Sequence, residues 1–406
     1  MPPLEERPAL LTIVTVYLAA LAQGLTVVSF PASAALFKAQ GFTDAEYGTL
    51  FLPQIGFTVL GSLTGPHLAR RIGLGPALST AFVASTLAAL LLYQSSVVTH
   101  ALALPVLLAG TAAMGSGFGL SAAPLNALPA RLFPNRADSA LLGLHTVMGV
   151  GFSSGPLLAG ELLHRKLWQA LPLGLALLTI CMMIAARLAL PGDGARQPAS
   201  SPLVPGASPP FREPAFWAFV AAAVLYAFSE GTFSNWGILY LHDERHLAES
   251  LAGSALAVFW ASLVAGRLLL SLLVTRFSSR TLWLTLPVLM ISAFLAVAAA
   301  QSASQALLSF SVAGLACSGF FPLTVALAST RFPAHAPWIS SMMIAALMFG
   351  VGIASFAIGP LRGALSLSGI YRLSAVYPTL ALLIGVWFVR PVSAPTAASK
   401  GVAAPR

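Results

Sequence analysis

The chain has 406 residues, of which 57% are hydrophobic and only 8% charged, with a mean hydropathy of +0.86. Soluble domains carry about a quarter charged residues, so too little polar surface is present here to cover a water-soluble globule. The net charge of +9 comes from 21 Lys+Arg against 12 Asp+Glu, dispersed over short breaks between apolar runs rather than gathered into one stripe, which argues against a nucleic-acid partner.

A bilayer core is crossed by about 20 apolar residues in a helix. Twelve such runs follow in order, at 8–37, 45–69, 74–94, 101–130, 138–163, 168–190, 214–241, 250–275, 281–300, 304–330, 337–361 and 370–389. The N-terminus, MPPLEERPAL, lacks a basic leader and the first run is too long for a signal peptide, so it reads as a retained span. The 29 prolines and 34 glycines suit membrane helices, where neighbours satisfy the backbone groups they free. Cys181 and Cys317 fall mid-run and read as small buried apolar residues rather than a disulfide framework.

Between runs six and seven the composition changes to Pro, Gly, Ser and Ala, which reads as a solvated linker. The expected organisation is a six-helix bundle over 1–190, a linker over 191–213, a second six-helix bundle over 214–390 and a tail over 391–406. An internal repeat fits that division. GSLTGPHLARR (61–71) and GRLLLSLLVTR (266–276) both run from glycine to arginine over eleven residues. Run four ends PLNALPARLFP (124–134) and run ten ends PLTVALASTRFP (322–333). Gly-Val-Gly followed by Gly-Pro occurs at 149–156 and again at 350–360. The halves read as parallel repeats about an axis along the membrane normal, giving an all-α membrane protein of two pseudo-symmetric bundles.

Fourteen Lys and Arg fall on one side of the spans, among them Arg70, Arg71, Arg131, Arg136 and Arg276. Six fall on the other, and Arg267 on neither. The positive-inside rule makes the first side cytoplasmic, with both termini and the linker inside. The acids sort the same way and leave Glu230 as the one carboxylate within a span.

A charge at mid-bilayer costs about 2.5–3.5 kcal/mol and needs a partner or a wet cavity. Tyr226, Glu230 and Ser234 share one helical stripe, with Asn235 and Trp236 beside them. That stripe reads as a pocket wall, and a carboxyl withdrawn from water is a candidate for proton exchange near neutral pH. Its plainer role is a structural hydrogen bond or ion pair. Arg267 lies about 13 Å inside run eight and can snorkel, pair with Glu230 or meet an anionic substrate. His145, deep in run five, reads either as a packing histidine or as a substrate or protonation site. Asn126, Gln54 and Gln23 either bind solute or glue helices together.

Other signals carry less. HDERH (242–246) has two histidines at i, i+4 but the wrong order for a zinc-protease motif, and reads as a solvated loop with no metal. No Walker A loop precedes any lysine, which argues against ATP-driven pumping, and no catalytic constellation or cofactor motif is visible. Gly115, Gly119 and Ala123 have the spacing of a close helix contact.

Twelve spans, a mid-chain linker and arginine-ended loops in both halves resemble the major facilitator superfamily. Its loop two-three motif runs roughly G-x-L-x-D-R-x-G-R-R; HLARRIGLG keeps Arg71 and Gly73 and has Arg70 where the aspartate belongs. Gly266-Arg267 is similar to a glycine-arginine pair common in helix eight. Asn126, Phe133-Pro134, His145, Gly155-Pro156, Glu230 with Trp236, Pro322 and Arg331-Phe332-Pro333 resemble the fucose permease-like branch. The acids of the sugar symporter in helices one and four are absent, with Gln23 and Asn126 the nearest polar groups. GFSSGPLLAG (151–160) also resembles the helix-five motif of drug antiporters, with Ala159 as a departure.

The resemblance implies a monomeric carrier of the bacterial cytoplasmic membrane, with helices one, four, seven and ten around a cavity. The expected function is alternating-access transport of a small polar solute such as a sugar, in symport with a proton. Proton-coupled efflux of amphipathic compounds and a membrane-embedded sensor are the alternatives. The expected site is Glu230, Asn126, His145, Gln23, Gln54, Tyr226, Trp236 and Arg267, with Arg70, Arg71, Gly73 and Arg276 in the gating loops.

Overall fold

The structure, a computed structural model, describes residues 10–190 and 210–388. Every regular element among them is helical. Twelve passes are present: α1 (Leu10–Ala39), α2 (Phe51–Ile72), α3 (Leu74–Ser95), α4 (His100–Leu132), α5 (Ala137–His164), α6 (Ala170–Ala189), α7 (Pro214–Leu239), α8 (Glu249–Leu273), α9 (Ser279–Ala299), α10 (Ala303–Arg331), α11 (Ala336–Leu361) and α12 (Leu367–Phe388). Eleven helices are long and apolar enough to cross a membrane. The exception is α2, whose 22 residues suffice in length but include Gln54, His67, Arg70 and Arg71. Most of the expected linker and all of the tail 391–406 lie outside the described residues.

Helix ends follow local chemistry. A short helix, Asp44–Thr49, precedes α2 and starts with a full capping box: the Thr43 hydroxyl accepts from the Glu46 amide, and the Glu46 carboxylate accepts from the Thr43 amide. The run expected at 45–69 is therefore two helices. Gly73 turns the chain from α2 into α3 with φ +91°, a left-handed conformation that glycine adopts without strain. The run expected at 304–330 is also interrupted, with α10 unwinding at Ser318 and Gly319. Pro322 has no N–H, so the Ser318 carbonyl four residues earlier has no helical donor.

The internal repeat is visible in the backbone. Both α4 and α10 end on a phenylalanine in the same conformation, Phe133 at φ −133°, ψ 64° and Phe332 at φ −125°, ψ 64°. Each is followed by a single 3₁₀ turn, Pro134–Arg136 and Pro333–His335, before the next helix begins.

Lipid offers no hydrophobic drive between helices, so close approach of backbones does the packing. On α4, a Cβ at Gly115 would sit 2.0 Å from the Gln54 carbonyl oxygen and one at Gly119 2.3 Å from that of Thr58, so α4 lies directly on α2. Cys317 is buried, whereas Cys181 faces outward, contrary to the expectation for the pair.

Two ends of the molecule differ, and they are called here acidic and arginine-rich. At the acidic end one apolar core runs through both bundles, joining Phe37, Phe42, Tyr47 and Phe51 to Trp236, Leu239 and Tyr240. Toward the arginine-rich end the first bundle keeps a separate core, including Val16, Leu78, Phe82, Leu128, Leu144 and Leu190. The bundles are thus fused at one end and distinct at the other.

Candidate functional site

The acidic end is closed by charge as well as by apolar packing. Asp44, from the first bundle, accepts from Lys38 Nζ at 2.7 Å and from Arg362 Nε of the second bundle at 2.9 Å. Arg362 Nη1 reaches Glu244 at 2.9 Å. Glu244 also accepts from the backbone amides of Leu367 and Ser368, the first residues of α12. Below this layer the Tyr47 hydroxyl donates to the Asn235 carbonyl at 2.7 Å, and its ring meets Trp236 edge-on.

Helices α5 and α8 run against each other as an interbundle ladder. Gly160 meets Glu249 and Ser250, Gly253 meets Pro156, Phe152 stacks on Trp260 at 4.7 Å, and Gly149 meets Val264. On the opposite side, Gly48 meets Phe356 and Gly359, and Ile55 meets Gly352. One turn beyond the Gly149–Val264 contact, the next rung of the α5–α8 ladder falls at His145 on α5 and Arg267 on α8. Here the ladder gives way to a gap: Asn126 is exposed, and His145, Glu230 and Arg267 are partly so.

These groups form a polar belt across both bundles. The Asn126 amide donates to the Ala122 carbonyl at 2.7 Å, and its oxygen meets His145 Nε2 at 3.2 Å. Tyr226 is buried on α7, with its hydroxyl against both the Glu230 carboxyl and the Cys317 carbonyl, the latter at 2.9 Å. Its ring stacks on Phe320 and Phe321, just past the α10 break. Arg267 donates from Nε to Ser318 O at 3.4 Å, the carbonyl that Pro322 leaves without a helical donor. Gly266 allows this approach, since a Cβ there would lie 2.5 Å from the Ser318 hydroxyl. Arg267 and, through Tyr226, Glu230 reach neighbouring carbonyls of α10, those of Ser318 and Cys317, but no carboxylate among the described residues comes within 4 Å of Arg267. The unwound turn of α10 is thus held by Tyr226 and Arg267.

The family model of the Major Facilitator Superfamily matches residues 12–303. The chain belongs to that superfamily. Its members are secondary transporters, and similar solved structures share the fold. They include a variant of the nucleoside transporter NupG (TM-score 0.78, 13% identity, 93% of this chain and 100% of that one). A bacterial homologue of the human lysosomal transporter Spinster, in an inward-facing and occupied conformation, gives 0.71 at 14% identity over 95% and 97%. A variant of the E. coli fucose:proton symporter FucP gives 0.59 at 15% identity over 94% and 98%. No curated protein sequence matches the chain.

Within this superfamily fold, the expected site residues divide. Glu230, Tyr226, Arg267, His145 and Asn126 come together in the belt. Gln54 is partly buried on α2, and its Oε1 has no hydrogen-bond partner. Gln23 is fully buried and spends its amide on Ser85 at 3.3 Å and the Gly117 carbonyl at 3.5 Å, so it joins α1 to α3 and α4. Trp236 is fully buried too, donating to the Ser355 carbonyl at 3.0 Å between α7 and α11. Neither reaches the gap, because their polar atoms are consumed by helix contacts. Arg70, Arg71 and Arg276 are exposed at the arginine-rich end, where Gly73 forms the turn.

The HDERH segment also departs from expectation. It is not a solvated loop: Tyr240–Glu244 continues α7 as a wide turn, and Asp243 and Glu244 join the interbundle network. Sequence reasoning sorted Lys38, Asp44, Glu244 and Arg362 only by side. The signal available was their shared location at outer breaks of both halves, with both signs present.

Proposed function

We propose that this transporter moves a small polar solute by alternating access, with Glu230 carrying the coupling proton. The reading rests on one observation. The Tyr226 hydroxyl has a single hydrogen and faces two acceptors, the Glu230 carboxyl and the Cys317 carbonyl. When Glu230 is protonated, the acid donates to Tyr226 and Tyr226 donates to Cys317, so every group is satisfied. When Glu230 is ionised, the one hydrogen goes to the carboxylate or the carbonyl, and the other loses its donor. Leaving a buried acceptor unpaired costs about 1–3 kcal/mol, enough to bias a two-state hinge. The proton on Glu230 is in this way communicated to the broken turn of α10.

The arrangement of the bundles supports the rest. The acidic end is closed by the Asp44–Arg362–Glu244 network, and the gap opens toward the arginine-rich end. With the positive-inside rule, this is the state open to the cytoplasm of a bacterial cell, and the termini lie on that side. The carrier acts as a monomer within the lipid bilayer, since each protomer has its own gap between bundles. A nucleoside transporter and a fucose:proton symporter among the similar structures favour a small polar cargo. Gly155-Pro156 is accounted for by packing, since Gly155 meets Val28 and Pro156 meets Gly253, so it adds nothing in favour of efflux.

The test uses purified protein in proteoliposomes, with a labelled solute found by thermal-stabilisation screening. Glu230→Gln mimics the protonated acid. It should retain solute counterflow while losing accumulation driven by a pH gradient. Undiminished pH-driven accumulation would remove Glu230 from the coupling step.

A further inference from the structure

We propose that the solute is a small organic anion that takes the place of the Glu230 carboxylate as the counter-charge of Arg267, so that one anion and one proton are carried together. The inference deepens the reading above and rests on it.

Arg267 is the starting point. A guanidinium stays charged at any relevant pH and presents five donors. Here one of them makes a long bond of 3.4 Å to a carbonyl, and no carboxylate among the described residues pairs with it. An arginine within a membrane span costs several kcal/mol without compensation, so such a site is incomplete. Glu230 balances the charge only through space and only while ionised. Protonating it leaves Arg267 as the uncompensated charge facing the gap.

A second observation points the same way. Trp260 lies two helical turns from Arg267 on the same face of α8, stacked on Phe152 of α5 where the two helices still touch, at the closed edge of the gap. Its indole Nε1 is buried with no acceptor. An indole only donates. Across from Arg267, the His145–Asn126 pair adds polar groups from the first bundle without adding negative charge. The α8 side of the gap therefore offers the Arg267 guanidinium and the Trp260 indole as donors, with one positive charge. The complementary cargo is an acceptor-rich anion with an apolar body able to lie against the Phe152–Trp260 stack.

Such a cargo also explains coupling. The titratable groups around Glu230 are Tyr226 from α7 itself and, at the α10 turn that Tyr226 engages, Cys317 from α10 and Arg267 from α8; His145 from α5 stands on the ladder rung beyond Arg267. Of these only Arg267 is positively charged throughout. Two negative charges competing for one guanidinium disfavour each other, so anion binding favours the proton on Glu230 and the proton favours the anion. This reciprocity is required by linkage. An anion held by Arg267 and by the His145–Asn126 pair also bridges the bundles where they diverge, which promotes closure at the arginine-rich end.

The experiment is thermal stabilisation of the purified full-length transporter by acetate, lactate, gluconate and benzoate, each beside its uncharged amide, at mildly acidic and mildly alkaline pH. The expected result is stabilisation by at least one anion and not by its amide. Its apparent affinity should rise on acidification by up to about tenfold per pH unit, the limit for one linked proton. Glu230→Gln should bind the anion without pH dependence, and Arg267→Gln should lose it. Arg267→Lys, which keeps the charge, should retain weakened binding and guards against a folding defect in Arg267→Gln. Stabilisation by amides alone, by no anion in the set, or by an anion equally well in folded Arg267→Gln overturns the inference. The two readings fail separately. Arg267-dependent anion binding that ignores pH would sink the coupling role of Glu230 and leave the anion. A neutral solute whose binding depends on pH and Glu230 would do the reverse.

Discussion

Arg362 and Arg267 are both partly buried arginines of the second bundle, and their company could hardly differ more. Arg362, 17% exposed, sits between Asp44 and Glu244 at 2.9 Å each, and Glu244 is further held by two backbone amides. Arg267 has one long bond to a carbonyl and, among the described residues, no carboxylate within 4 Å. The acidic end is a region where Asp44, Arg362 and Glu244 pair across the boundary and join two bundles. The belt near the α10 break is one where charge is left over. Paired charge fixes a conformation; unpaired charge waits for a ligand or a proton.

The sharpest way to break that contrast is Arg362→Ala. Removing one member of a buried ion pair costs about 3–5 kcal/mol, an upper bound here because the pair keeps some solvent contact. The expected result is lower thermal stability. In a background without Cys181, a cysteine at position 235 should also react faster with a membrane-impermeant thiol reagent from the acidic side. No gain in reactivity would mean that apolar packing alone keeps this end shut. Next in size is Tyr226→Phe, which removes the single shared hydrogen. It should destabilise by about 1–3 kcal/mol and flatten the pH profile of transport, because the Cys317 carbonyl loses its donor in both states of Glu230. An unaltered pH profile would break the link between proton and hinge.

Trp236→Phe separates packing from binding. It removes one bond to the Ser355 carbonyl and should cost about 1 kcal/mol, with solute affinity unchanged. A tenfold loss of affinity would return Trp236 to the site. The smallest effect is expected at Glu46, which lies outside the spans, in contrast to Glu230. The Thr43 amide, and then its hydroxyl, hold the Glu46 carboxyl below its ordinary value. Its folded value being depressed, its stabilisation is present above the ordinary carboxylate range and fades as pH falls through the folded value. Wild-type thermal stability should therefore show a small acid-side loss that Glu46→Gln lacks.

Much of this was legible in the chain, for identifiable reasons. Apolar run length reports spans because lipid satisfies no backbone group, and the Phe-Pro pairs reported the repeat because the backbone after α4 and α10 is the same. Glu230, Tyr226 and Arg267 stood out because charge within a span is costly. Gln23 and Trp236 lie in helix contacts instead of the gap, and the chain could not show this, because a polar side chain in an apolar run looks alike whether it faces a gap or a neighbouring helix. The gate charges were seen only as loop charges, since their partners lie across the bundle boundary: Asp44 and Arg362 are 318 residues apart.

The sequence by itself determined the helical class, the twelve passes, the two-fold repeat and the presence of an intramembrane acid and base, because each follows from local composition and spacing. Only the tertiary structure decided which end is shut, that α10 breaks where Tyr226 and Arg267 can hold it, and that Arg267 has no carboxylate within 4 Å among the described residues. Those facts depend on how far apart two bundles stand, and distance between bundles is written in no single stretch of chain.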